Sequence, residues 1–444
     1  MQLPTYSSNY IRRDAPPPVF RRPVRESSLT ALHGWLLMLV LPFAVLWIPL
    51  VRAPGLGNLT ILDLTMLLLW GTTLLQLGTR SSKSDTGRPA FRIAVYAFAP
   101  ALFGCLGALL FDPRSRLTVE FLQHAKRFGL PGIIPLAMLM LPAKRVSRIR
   151  VAAVASLLIM VLIPYTPIVS SLPISDFKTG MPGGDRDERP MGSLSNSNDF
   201  GYIALLGALI GLSHAAGTRG KGFGRRSWAT VATAAGLGGI VASASRSGLV
   251  AAIVAAAYIV SQSKLGFTKK LSFVAILAAA MIVGWQVSSI YRDRMAGVLE
   301  QKIYEPSTFA RIEAQEVAFR TWLQHPLGVG FSNMSTAASE FSQNAQSFTV
   351  VTGSDSIYFD FLLGTGALGL LCIILCFRNC WMLADFRRVP MEAAYLKAGM
   401  LGAFCFGLAT VSPASFSVAP FFFTVAGLAG CVRRDYSLNE ARRA

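Results

Sequence analysis

The stretch Ile357-Tyr358-Phe359-Asp360-Phe361-Leu362-Leu363-Gly364-Thr365-Gly366-Ala367-Leu368-Gly369-Leu370-Leu371-Cys372-Ile373-Ile374-Leu375-Cys376-Phe377 holds a single charge, Asp360, before Arg378 closes it. A helix of that length covers about 30 Å, the thickness of a bilayer's hydrocarbon core. Working outward, similar apolar runs fall at residues 32–51, 61–78, 93–111, 128–142, 151–170, 200–216, 228–243, 248–263, 271–289, 396–412 and 417–432. Together they predict about twelve transmembrane helices. Composition agrees: of 444 residues 52% are hydrophobic and 15% charged, and the mean hydropathy is +0.48, outside the range of a soluble domain. The predicted fold class is an all-α integral membrane protein.

The net charge of +19 is topogenic rather than a sign of nucleic acid. If the first helix leaves the cytoplasm, the inward-facing pieces are residues 1–31, 79–92, 143–150, 217–227, 264–270, 378–397 and 433–444. These carry 28 of the 42 Lys and Arg but only 7 of the 23 Asp and Glu. That asymmetry predicts both chain ends in the cytoplasm. Residues 1–31 then read as a disordered basic tail, 32–289 as helices one to nine, 290–354 as a large outer loop, 355–432 as helices ten to twelve, and 433–444 as a second tail. All six cysteines fall within or at the ends of predicted helices, where the thiol acts as a small apolar group, and their spacing is neither a disulfide framework nor a zinc site.

Long connections in compact proteins carry function, and two outer ones are long, 171–199 and 290–354. Within the second, Phe309, Ile312, Phe319 and Leu323 recur at helical spacing from Ser307 to Gln324, and Pro326, Gly328 and Gly330 stop the run. The expectation is an amphipathic helix on the membrane surface or over a cavity. Arg320 has Glu316 one turn earlier as an ordinary partner, whereas Arg311 has no acid at its helical neighbour positions. In Ser243-Ala244-Ser245-Arg246-Ser247-Gly248, Arg246 falls at the positive start of a helix, where an anion compensates best; phosphate suits the backbone N–H groups and hydroxyls there. A snorkelling interfacial arginine is the simpler alternative. Asp355 stands at the outer mouth of the tenth span as a dipole-matched acid or a functional one. Asp360 lies deeper, and the glycines at 364, 366 and 369, like those at 236, 238 and 239, suit close helix contact.

The order Arg189-Pro190-Met191-Gly192, Asn196-Ser197-Asn198-Asp199, Ser245-Arg246-Ser247-Gly248, Arg311, Trp322, His325-Pro326-Leu327-Gly328-Val329-Gly330 and Asp355-Ser356-Ile357-Tyr358 resembles the O-antigen ligase and Wzy-type polysaccharide polymerase superfamily. The likeness runs from about residue 186 to 370. It implies a GT-C-type glycosyltransferase with a large periplasmic loop before the tenth helix, in the bacterial inner membrane, needing neither metal nor cofactor. The implied substrate is an undecaprenyl-diphosphate-linked oligosaccharide, with membrane lipid, a chain-length regulator and export proteins as further partners. Arg246 and Arg311 would bind the diphosphate, and Arg189, Asn198, Ser245, Ser247, Arg320 and Tyr358 complete the candidate binding set. Ligases of the superfamily usually begin this helix with His-Asn. Asp355-Ser356 here favours the exopolysaccharide polymerase branch, with Asp355 as general base. Ligation to another acceptor is the nearest alternative. A lipid-linked oligosaccharide flippase would instead predict charges within the bundle, broken helices and an internal repeat; the charges are few, Asp63 and Asp360.

Overall fold

The computed structural model describes residues 27–46, 48–53, 57–79, 86–162, 197–217, 223–262, 267–287, 306–339, 356–386, 390–409 and 417–441, with residues 292 and 341. Most of the first predicted tail and much of both long outer connections, Arg189 and Asp355 included, lie outside the described residues, whereas the second predicted tail is described, and helical, as far as residue 441. In chain order the elements are α1 (Ser28–Leu46), β1 (Pro49–Ala53), β2 (Gly57–Thr60), α2 (Ile61–Thr79), α3 (Gly87–Phe111), α4 (Leu117–His124), a π turn (Ala125–Gly129), a 3-10 turn (Leu130–Ile133) and α5 (Ile134–Leu139). There follow α6 (Ala143–Leu162), α7 (Ser197–Ala216), α8 (Phe223–Ala242), α9 (Arg246–Gln262), α10 (Phe267–Val287), α11 (Pro306–Gln324), α12 (Met334–Ser339), α13 (Ile357–Leu383), α14 (Met391–Ala409) and α15 (Val418–Ala441). Each predicted apolar run overlaps helix, the fourth as a chain of short pieces. Five helices among the described residues are long and apolar enough to cross a membrane: Ser28–Leu46, Ile61–Gly78, Gly87–Phe111, Asn198–Ala216 and Ile357–Leu383. The chain is a multi-pass, predominantly α-helical membrane protein.

It is not wholly α-helical. The first predicted span was expected to reach residue 51, but the helix ends at Leu46 and β1 pairs antiparallel with β2, Arg52 opposite Asn58 and Ala53 opposite Gly57. Pro49 is the physical cause, since it has no N–H to continue a helix and disfavours the helical region at Ile48. Asp63, expected within the bundle, is buried there. It sits in the first turn of α2, where its Oδ2 accepts from the Thr60 N–H at 2.8 Å while the Asp63 N–H donates to Thr60 Oγ1 at 3.2 Å. This is a reciprocal cap, and Lys126 Nζ, 3.0 Å away, balances the charge.

Small residues set the centre. Most of α7 is buried, and Gly211 and Gly236 leave room only for Ala232 and Ala208 across the α7–α8 contact, so the two helices meet backbone to backbone. Tyr202 of α7 stacks on Phe406 of α14 with centroids 4.6 Å apart. Described residues of three pieces predicted to face inward, 143–150, 378–397 and 433–444, meet at one end of the bundle. There Arg150 pairs with Glu392, Arg434 Nη1 donates to the Leu139 and Leu141 carbonyls at 2.7 and 2.9 Å, and Arg433 donates to the Met382 carbonyl at 2.7 Å. Arginines thus satisfy carbonyls that helix ends leave open.

Helix α13 is broken at Gly366, whose φ of 68° and ψ of −173° lie outside the helical region. A break frees backbone groups that lipid cannot satisfy. Here the segment 326–330 supplies the partners: the Val329 N–H donates to the Leu363 carbonyl and the Gly330 N–H to the Gly364 carbonyl, both at 2.9 Å, while the Ala367 N–H reaches the Pro326 carbonyl at 3.4 Å. The approach requires glycine on both sides. A Cβ on Gly366 would lie 2.6 Å from the Pro326 carbonyl oxygen, and one on Gly328, at φ 84°, would lie 2.6 Å from the Gly366 nitrogen. Gly366→Ala is therefore expected to destabilise the protein by about 1–3 kcal/mol or more. Thermal unfolding of the detergent-solubilised protein checks this; an unchanged midpoint would mean that the break is not under that constraint.

Candidate active site

The turn between α8 and α9 is built on serines. Ser243 Oγ donates to the Ile240 carbonyl at 2.7 Å, Ala244 takes a left-handed φ of 45°, and Ser245 caps α9 by accepting the Gly248 N–H at 3.1 Å. The Ser245 hydroxyl then donates to Asn198 Oδ1 at 2.9 Å, and Ser247 Oγ lies 3.2 Å from it. Three residues expected to bind substrate are thus drawn together, with a physical role that the sequence left open. Ser245, only 1% exposed, fixes the start of α9 to the first turn of α7. That cap delivers Arg246 as the first residue of α9, half-buried, with its N–H and that of Ser247 in the same turn. Gly201 makes the closeness possible, because a Cβ there would lie 2.6 Å from Ser243 Oγ.

Arg311 comes from a different direction. Its helix α11 rests on α13 through Ala314, Val317, Ala318 and the fully buried Thr321, and these small residues are the seat. Ile312, Phe319 and Leu323, the bulky stripe expected to face a cavity or membrane, are 44 to 59% exposed and turn away from the bundle, the arrangement of a helix whose outer side meets lipid. Gln315, one turn after Arg311, donates from Nε2 to the Leu408 carbonyl at the end of α14 at 3.3 Å. The same helix end receives α13: Ser356 Oγ donates to the Gly407 carbonyl at 3.1 Å and the Tyr358 hydroxyl to the Phe404 carbonyl at 3.0 Å. Helix α9 also packs on α14, where a Cβ built on Gly402 would lie 3.5 Å from the Ala251 carbonyl oxygen. Gly201 lies against Ser243 and Ser245 of the serine turn, and its neighbour Tyr202 stacks on Phe406 of α14. The end of α14 thus contacts Gln315 of α11 and Ser356 ahead of α13, and through Tyr202 it neighbours the turn that carries Arg246.

Other predicted residues have definite places. Arg320 is exposed and ion-paired with Glu316, as its spacing predicts, a pair worth about 0.3–0.5 kcal/mol. Tyr358 spends its hydroxyl on α14. Arg189 and Asp355 lie outside the described residues.

A pair that the sequence did not single out holds the loop in position. Glu120 of α4 is fully buried, and its Oε1 lies 3.0 Å from His124 Nε2. Its Oε2 accepts the Ser332 N–H at 2.9 Å and the Ser332 hydroxyl at 2.6 Å, while the Phe331 N–H donates to Oε1. One carboxylate thereby caps the 3-10 turn Phe331–Asn333 that follows the Gly-rich segment. The only signal for it was an acid and an imidazole four residues apart in the short connection after the third span, where both stand outside the membrane-spanning segments. Burial pushes the His124 imidazole down to about 4, with Arg127 adding to the effect and Glu120 opposing it. Burial by itself raises the Glu120 carboxyl, but hydrogen bonds from His124 and Ser332 outweigh it and hold the group below its ordinary value. Neutral imidazole donating to carboxylate is the resulting state.

Both shifts have the same sign for stability. An unfolded chain takes up the histidine proton near pH 6.5, whereas the folded one resists to about 4, so stability falls as pH drops through that window. Glu120, depressed in the fold, extends the loss below pH 4.5. The unfolding midpoint is expected to fall steadily from pH 7 to 4.5, and His124→Gln is expected to flatten that slope; parallel slopes for both proteins would remove His124 from the account.

Residues 231–374 match the O-antigen ligase family. The matched stretch contains Arg246, Arg311, the segment 325–330, the break at Gly366 and Tyr358, and it supports the resemblance to the O-antigen ligase and Wzy-type superfamily. Comparison with curated proteins and with solved structures gave no match.

Proposed function

We propose that this protein is a membrane glycosyltransferase of the polysaccharide polymerase kind. It would move a glycan from an undecaprenyl-diphosphate donor to the sugar end of a lipid-linked acceptor, without metal and with inversion, on the periplasmic face of a bacterial inner membrane. The observation that supports the reading is that Gln315, one turn from Arg311, bonds the end of α14, while the serine turn before Arg246 packs on Gly201 beside Tyr202, which stacks on Phe406 of the same helix. The family match over both arginines supports it.

The chemistry follows from charge. As the anomeric C–O bond to the diphosphate breaks, negative charge gathers on the leaving group, and guanidinium groups stabilise it through forked hydrogen bonds. The acceptor hydroxyl loses its proton to a base as the new glycosidic C–O bond forms on the opposite face; Asp355, which precedes the buried Ser356, is assigned that role. A twelve-span GT-C bundle with both ends in the cytoplasm accommodates this arrangement. The polymerase is preferred to a ligase because Asp355-Ser356 stands where ligases carry His-Asn. A broken helix is what a flippase would use to hold cargo, but the break at Gly366 is filled by the protein's own backbone.

Purified protein incubated with lipid-linked repeat units is expected to give a ladder of lengths. One-step transfer to a foreign acceptor would reassign it as a ligase, and no chemistry would favour transport. Arg246→Ala and Arg311→Ala are each expected to lower turnover by about a hundredfold or more while the protein remains inserted. Asp355→Asn is expected to lose a comparable factor; near-normal product from either arginine variant would end the diphosphate assignment.

A further inference from the structure

At the opposite, basic end of the bundle lies a cavity of about 370 Å³ between the end of α2, the start of α3, α5 and Arg434 of α15. Its walls are largely apolar, with Leu77, Phe91, Leu136 and Leu139 among them, and none of its lining residues is acidic. Arg434 is already spent on the Leu139 and Leu141 carbonyls and on Asp435. Arg88 and Arg92 differ. They stand one turn apart on α3, both exposed, both lining the cavity, and among the described residues neither has a hydrogen bond or an acidic partner. Two like charges at this spacing repel, and they occupy the start of a helix, where the backbone dipole also disfavours them. An anion in the cavity relieves both penalties.

The surroundings identify the kind of anion. Phe91 at the rim is 52% exposed, and the adjoining face of α2 presents Leu74 and Leu75 at 54 and 62% exposure, which is a lipid-facing wall. A ligand here meets cations at one end and a bilayer-contacting apolar slot beside them. We propose that the cavity holds an anionic phospholipid, its headgroup phosphate bound by Arg88 and Arg92 and an acyl chain lying along Leu77 and Phe91. The site is separate from the proposed active site and stands whether or not that assignment does.

The test is native mass spectrometry of the full-length protein released from detergent after equilibration with phosphatidylglycerol or phosphatidylcholine. Wild type is expected to retain phosphatidylglycerol over phosphatidylcholine by about tenfold. Arg88→Gln/Arg92→Gln is expected to abolish the preference, and Lys144→Gln/Arg148→Gln, which removes equal charge from exposed positions outside the cavity, to preserve it. Arg88→Lys/Arg92→Lys is expected to restore part of it, which separates binding from an effect on insertion. Equal retention of the two lipids by wild type, or an undiminished preference in the glutamine variant, overturns the proposal. Millimolar inorganic phosphate displacing phosphatidylglycerol completely would reassign the cavity to a free phosphate ion.

Discussion

Backbone hydrogen bonding in a medium without water governs the shape of the proposed catalytic end. A helix that breaks at membrane depth leaves carbonyl and N–H groups costing roughly 1–3 kcal/mol each when unpaired. Helix α13 breaks at Gly366, and the chain answers with three main-chain bonds from residues 326–330. This draws the segment after α11 down between α3 and α13, so that Gly107 lies against the Gly328 carbonyl and Gly330 against Ala108. Once the segment is seated, Glu120 caps the turn that follows it. The positions of α11 and of Arg311 upon it then follow from a loop end that is fixed.

Arg246 is positioned by an independent set of contacts. The Ser245 cap, the Asn198 bond and the small residues along α7 and α8 belong to helix packing in the bundle's centre. The turn before Arg246 and the helix that carries Arg311 are therefore held by different sets of contacts. Such an arrangement tolerates change in one set of contacts without displacing the other.

Much of this architecture is legible in the sequence. Apolar runs locate the helices because a nearly uncharged stretch of spanning length rarely forms anything but a membrane helix, and the i, i+4 spacing of Glu316 and Arg320 gives their pair directly. The halt of α11 at Gln324 follows from Pro326. What escapes depends on contacts distant in sequence. Nothing near Glu120 announces that residues 331 and 332, over two hundred positions later, need a carboxylate. The glycines at 364 and 366 read as helix-contact residues, since composition cannot distinguish a packed helix from one that opens to accept another backbone. The hairpin after α1 is obscured because Ile48 to Val51 is apolar enough to extend the run, and only Pro49 marks its end. The seating of α11 on its small residues is likewise hidden, because bulky side chains signal a buried face in water and an outward one beside lipid.

A broken helix ordinarily offers a hinge. In this protein the joint is sutured, since bending at Gly366 means parting Val329, Gly330 and Ala367 from their partners at once, in surroundings where no solvent takes their place. Any movement at this end of the bundle must then arise in the chain on either side of the stitched segment, which itself stays rigid.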